Sequence, residues 1–232
     1  MKLTHASPLP TASRPAAPRV TGWRRGSASA VAGIALAAMA LIMPISYFGG
    51  ILPLVDAGDA QRTATAIAAA PVPYLAGVAG IFVVIILDLL VAAAWYVVFA
   101  PVDRRVSVIA AWLRVGYTVL FAVAALQLVN ASVQLDAPER ALAAIIAFDR
   151  MWIASLGIFG LHLLVVAWLV VRAEFIASVF GVLLMIAGVG YIADAIGELL
   201  DLDLPVSLGT FAFAGEVAII FWLLIRGRRL RG

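Results

Sequence analysis

Six stretches of this chain are apolar for long enough to cross a bilayer, and no other feature restricts its possible folds as strongly. A hydrocarbon core of about 30 Å takes about 20 residues of helix. Such runs lie near residues 28–48, 74–100, 107–130, 151–171, 176–199 and 206–225, and together they fill more than half of the 232 residues. Composition agrees: 65% of the residues are hydrophobic and 12% are charged, whereas a soluble domain is about half apolar and about a quarter charged. The expected fold is all-α, a polytopic membrane protein with six transmembrane helices in one bundle over residues 27–226. A basic tail precedes it at 1–26 and a short basic tail succeeds it at 227–232.

The first tail carries Pro8, Pro10, Pro15 and Pro18, five cations and no acid, so it cannot bury enough apolar surface to fold and is expected to be disordered. A cleaved signal is the rival reading of the first apolar run, because Ala38-Met39-Ala40 has A-x-A character. A signal's apolar core is only about 7–15 residues long, and this run continues through Pro44 to Phe48. It is therefore expected to be a retained helix, kinked at Pro44.

Orientation is set by where Lys and Arg collect beside the spans. Lys2, Arg14, Arg19, Arg24, Arg25, Arg104, Arg105, Arg172, Arg226, Arg228, Arg229 and Arg231 fall on one side, against Arg62, Arg140 and Arg150 on the other. Both termini are expected to be cytoplasmic. The outer loops carry Asp56, Asp59, Asp136, Glu139, Asp201 and Asp203. In the longest connection, 49–73, the alanine-rich stretch Asp59–Ala70 between Pro53 and Pro71 predicts a short helix at the outer interface, either a packed connector or a lid. Gly181, Gly188 and Ala195 recur every seven residues, and Gly157 and Gly160 lie three apart. Small residues of this kind let membrane helices approach closely. Asp149 and Arg150 are expected to cap and anchor the outer end of the fourth span.

The residues that hydrophobicity does not explain are the ionisable ones inside the spans. Asp88 falls near the middle of the second span, Arg114 about 10 Å into the third and Glu216 about 15 Å into the sixth, at about 1.5 Å of rise per residue. His162 sits near the middle of the fourth, and Asp194 and Glu198 in the outer part of the fifth. A charge left facing lipid costs at least about 2.5–3.5 kcal/mol, so these side chains should turn inward and find partners. Depth and the reach of a guanidinium predict a cluster of Arg114 with Asp88 and Glu216. Tyr96, Tyr117 and Tyr191 can share that interior as i+8, i+3 and i−3 neighbours of Asp88, Arg114 and Asp194, or simply fill space. Such a cluster reads either as a proton, ion or solute site or as a structural ion pair that fixes helix register.

Chemistry of other kinds has little foothold. With no cysteine there is no disulfide, thiolate metal site or cysteine nucleophile. His5 and His162 are the only histidines, and one lies in a tail, so two axial imidazoles for a haem are not at hand. Neither a cofactor nor a metal is expected. Ser155 and His162 share a helix face but stand roughly 10 Å apart, too far for a nucleophile and its base. No G-x-S-x-G, H-E-x-x-H or phosphate-cradling loop occurs. An intramembrane dyad of Asp88 and Asp194 is the remaining enzymatic alternative, and the expectation is a non-enzyme. Arginines placed beside apolar runs are topology signals, so the expected partner is the lipid bilayer and not nucleic acid.

Asp88, Val91, Ala92 and Tyr96, then Pro101, Val102, Ser107 and Arg114, together resemble a known pattern. It resumes with Phe148, Trp152, Gly157, Phe159, Gly160 and Leu163, continues through Gly181, Gly188, Tyr191 and Asp194, and closes with Glu216, Trp222 and Leu223. Over about residues 27–226 the chain resembles the bacterial membrane proteins grouped as domain of unknown function 4386. That resemblance implies a small six-helix protein of the bacterial inner membrane, with no activity attached. The pattern in some relatives includes an acid shortly after the third-span arginine, where this chain has Val115, Gly116 and Tyr117. Asp88 and Glu216 are thus left as partners for Arg114.

Overall fold

The computed structural model describes residues 22–202 and 208–230, with the side chains of 208–216 outside the description. Seven α-helices are present among these residues: α1 (Arg25–Pro44), α2 (Ala60–Ala69), α3 (Pro71–Phe99), α4 (Arg104–Ser132), α5 (Pro138–Arg172), α6 (Ser178–Leu199) and α7 (Leu208–Ile225). Among the described residues five of the long runs form helices long and apolar enough to cross a membrane, the first spanning Arg25–Leu54. Outward-facing residues such as Ile34, Leu41, Ile86, Trp112, Ile186 and Phe221 are exposed. A water-soluble bundle would turn such side chains inward, and a bilayer supplies the apolar surroundings they need. The expected disordered tail lies, up to residue 21, outside the described residues.

The six long helices form a closed ring in chain order. Each of α3, α4, α5 and α6 packs against its predecessor and successor, and α7 returns to α1. The ends of the ring meet closely: Ser29 Oγ donates to the Leu223 carbonyl at 3.2 Å, and a Cβ at Gly26 would stand 2.5 Å from the Arg228 carbonyl oxygen. The beginning of α1 and the end of α7 therefore share one face of the bundle.

The spacing of small residues specifies the α5–α6 seam. A Cβ at Gly160 would stand 2.5 Å from the Gly188 carbonyl oxygen, one at Gly157 would meet Ala195, and one at Gly181 would press on Ala167 and Val171. The seven-residue repeat of Gly181, Gly188 and Ala195 thus forms the face that α6 lays on α5, as small residues at close membrane-helix crossings do.

Pro44 is succeeded by a π-helical segment, Ile45–Ile51, and a 3-10 turn, Leu52–Leu54. The backbone at Pro44 keeps helical angles, so the expected kink takes the form of a change in helix type. A proline offers no N–H to the preceding turn, and a π-bulge is one way a helix absorbs such an interruption. The segment lies hard against α3: a Cβ at Gly77 would stand 2.6 Å from the Ser46 carbonyl oxygen, and one at Gly50 would stand 2.8 Å from that of Pro73.

The predicted connector helix is α2. Asp59 caps it, accepting from the Arg62 N–H at 2.9 Å, and it buries Thr63, Ala64 and Ile67 mainly against α5. Helix α5 itself begins at Pro138, well before the expected boundary at 151. Asp149 and Arg150 are therefore not a helix cap. The first turns bury Ala141, Leu142, Ala144, Ile145 and Phe148, a 3–4 spacing that defines one helical face. Arg150 reaches Glu198 and Asp201 at 3.6 Å each, tying α5 to the end of α6.

Replacing Gly160 with leucine should destabilise the protein by about 1–3 kcal/mol, the usual cost of overpacking a tight contact. Gly116→Ala should hold or raise stability, because a Cβ there meets nothing within 4 Å and alanine favours helix. Thermal unfolding of the two variants in detergent reads the difference.

Candidate functional site

The ion pair predicted from depth is present between α3 and α4: Arg114 Nη2 donates to Asp88 Oδ1, with the side chains only 2% and 1% exposed. Residue position explains this, since both lie mid-helix on faces buried against neighbours. The guanidinium makes further contacts on the side facing α5. Its Nη1 donates to His162 Nε2 at 3.4 Å, while His162 Nδ1 donates to the Ala110 carbonyl at 2.8 Å. Both bonds are satisfied by the tautomer carrying its proton on Nδ1, since the other ring nitrogen must then accept. Arg114 Cζ also stands 5.3 Å from the Phe159 ring centre and 6.0 Å from that of Trp95, within cation–π range.

Above this pair lies a cavity of about 490 Å³, walled by all six long helices of the ring. Leu36 and Met43 come from α1, Asp88 from α3, Arg114 and Tyr117 from α4, Trp152 and Phe159 from α5, Tyr191 and Asp194 from α6, and Ile220 from α7. That volume falls within the usual range of small-molecule sites, about 300–1,000 Å³. Exposed Pro44 and Phe48 stand at its rim. Aromatic rings line it in a connected series: Tyr117 to Phe159 at 4.9 Å, Phe159 to Tyr191 at 5.4 Å and Phe121 to Trp152 at 5.8 Å.

Toward the ends of the chain the interior closes. Trp95, Phe99 and His162 pack together there, with Trp95 5.7 Å from the His162 ring and 5.8 Å from Phe99. At the opposite end, Tyr47 of the π-helical segment donates to Asp149 Oδ1 at 2.6 Å and packs on Phe148 and Trp152. The bond explains how Asp149 sits inside a helix that faces other helices.

The structure thus brings Asp88, Arg114 and His162 into one hydrogen-bonded set and puts Tyr117, Tyr191 and Asp194 on the wall of the same cavity. It does not bring Tyr96 there: that hydroxyl accepts from Arg104 Nε at 3.3 Å, near the α3–α4 turn. Eight residues from Asp88 is a little more than two turns, and the rotation is enough to carry Tyr96 off the interior face; Trp95 occupies that face instead. The side chain of Glu216, the third expected member of the cluster, lies outside the described residues. Sequence reasoning missed Tyr47, Asp149, Trp95 and Phe159. Only the early helical face of α5 could have signalled Asp149, and nothing in the sequence signals Tyr47 as its partner. Among the described residues no group of three or more His, Cys, Asp or Glu side chains could hold a metal ion.

Comparison with known proteins returns no chemistry to set beside this geometry. An uncharacterised protein of Archaeoglobus fulgidus is 31% identical over 158 residues, which cover 68% of this chain and 88% of the relative. No solved structure matches the chain. Residues 31–227 match the family described as "Domain of unknown function (DUF4386)", and since that match takes in every long helix of the ring, the chain belongs to this family.

Proposed function

We propose that the chain is a six-span protein of the bacterial cytoplasmic membrane with both termini cytoplasmic, whose central cavity takes up a proton, an ion or a small solute from the outer side. The observation that carries this reading is the cavity itself: a buried Asp88–Arg114 pair forms part of its wall. Ionisable residues in a membrane interior are costly and mark such pathways. Adjacent ends of α1 and α7 support an even number of crossings, and Arg104, Arg105, Arg172 and Arg226 gather toward that face, as cytoplasmic loops do. No enzymatic role and no nucleic-acid partner enter this reading, since the chain carries no catalytic motif and its cations flank the apolar spans. The bilayer is its partner.

A second reading, a non-catalytic scaffold or partner subunit with a structural ion pair, is favoured by one observation: the two charges bond each other and are nearly sealed. The two readings also differ in what they require of the cavity. A scaffold has no use for access from outside.

Because the chain has no cysteine, single cysteines report access without background. Leu156→Cys, on the cavity wall, should react in intact cells with a membrane-impermeant maleimide. Val166→Cys, fully buried and further along α5, should not, and Gly22→Cys should react only after permeabilisation. An unreactive Leu156→Cys would favour the scaffold, and a Gly22→Cys that labels in intact cells would reverse the orientation. The pair itself makes a separate expectation. Asp88→Asn should cost about 3–5 kcal/mol by leaving a buried guanidinium unpaired, and adding Arg114→Gln should recover part of that, measured by thermal unfolding.

A further inference from the structure

We infer that the bundle holds an anionic phospholipid by its headgroup phosphate, at the corner where the beginning of α1 meets the 3-10 turn Gly227–Arg229 and the α5–α6 connection. The inference needs a membrane-spanning bundle and is independent of the solute reading of the cavity. Eight described arginines stand at this face, in the beginning of α1, the α3–α4 and α5–α6 connections and the end of α7, against two acids, Asp103 and Glu174. Asp103 is committed to capping α4, accepting from the N–H groups of Arg105 and Val106. Outside the described residues the acidic side chains are Asp203 and Glu216. Asp203 comes after the opposite end of α6, and Glu216 sits ten residues before Arg226, about 15 Å along α7. The positive excess of this face does not depend on either.

Close packing fixes that charge in place. A Cβ at Gly26 would stand 2.5 Å from the Arg228 carbonyl oxygen and 2.9 Å from that of Leu230, and one at Gly227 would meet Ser29 and Trp222. The basic turn is thereby held beside Arg25, with the Arg228 and Arg229 side chains exposed. Like charges gathered in this way repel one another and call for a counter-ion. Arg25 is oriented to receive one. Its Cζ lies 4.5 Å over the Phe175 ring centre, and its Nη2 donates to the Val98 carbonyl at 3.3 Å. Phe175 is itself packed on Trp222 and Phe99. Among the described residues neither Nη1 nor the buried Nε of Arg25 has an acceptor. A guanidinium held flat on a ring keeps donors for the oxygens of a phosphate.

The surroundings favour a lipid over a free anion. Trp23 is exposed just before α1, and Arg172 lies 4.4 Å over Trp168, aromatic residues of the kind found at headgroup level. Further along the same helices, Ile34 of α1 and Phe221 of α7 are exposed and offer an apolar surface to acyl chains. A basic corner between membrane helices with apolar flanks matches the two halves of an anionic phospholipid.

Native mass spectrometry of the purified full-length protein in detergent, titrated with dioleoylphosphatidylglycerol or dioleoylphosphatidylcholine, measures the affinity of the first bound lipid. Phosphatidylglycerol should bind at least about ten-fold tighter than phosphatidylcholine. Arg25→Gln combined with Arg228→Gln should weaken phosphatidylglycerol about ten-fold and leave phosphatidylcholine unchanged. Arg62→Gln combined with Arg140→Gln, at the opposite face, should change neither. Should the first double variant fail to fold, as judged by gel filtration, Arg228→Gln alone, at an exposed side chain, should still weaken phosphatidylglycerol about three-fold. Equal affinity for the two lipids overturns the inference, as does a preference that survives these substitutions at Arg25 and Arg228 or falls equally with those at Arg62 and Arg140. Competition by the deacylated headgroup glycerophosphoglycerol at the same concentration as the lipid would make this an anion site without a lipid, and overturns it too.

Discussion

The need to shelter one arginine organises the interior of this protein. A guanidinium cannot shed its charge, and in apolar surroundings it must be met by a carboxylate, further acceptors or ring faces. Arg114 receives all three, from Asp88 on α3 and from His162 and Phe159 on α5. Three helices are thereby held in one register at one depth. Apolar packing alone would leave that register poorly specified, because lipid competes on equal terms for apolar side chains.

The two ends of the bundle are closed by different means. Toward the chain ends, Trp95, Phe99 and His162 fill the space between helices, and Arg25 adds a contact from α1 by lying 4.5 Å over Phe175. At the far end the closure depends on an irregular segment. The π-helical turns after Pro44 bring Tyr47 across to Asp149, and they can do so because Gly50 and Gly77 allow that segment to touch α3 backbone to backbone. Among the described residues one end is a packed plug, and the other is joined by a hydrogen bond flanked by rings. Exposed Pro44 and Phe48 stand at the rim of the cavity beside that second closure.

Most of the helical framework is legible in the sequence, because run length and hydropathy report directly on helices in lipid. The pairing of Arg114 with Asp88 is legible too, since depth along two helices is simple arithmetic and the energetic penalty for a lone charge is large. The features that escape have a common cause. The start of α5 is hidden because Asp149 and Arg150 look like a boundary, yet each is satisfied by a residue remote in sequence: Asp149 by Tyr47, Arg150 by Glu198 and Asp201. Tyr96, eight residues from Asp88, lies about 80° round the helix from it, whereas Trp95, seven residues away, lies within about 20° and takes the interior face. Local spacing fixes a residue's depth well and its azimuth less well.

The cavity differs from an ordinary packing defect in what borders it. A void left by poor packing is lined by whatever side chains happen to fall short of one another, and it tends to be apolar and dry. This one is bordered by carboxylates from two helices on different sides of the ring, Asp88 on α3 and Asp194 on α6. The first offsets the buried charge of Arg114. The second shares the cavity wall with Tyr191, Phe159 and Tyr117. Polar groups that face one volume from both sides of the ring are what a solute site needs and a packing defect lacks.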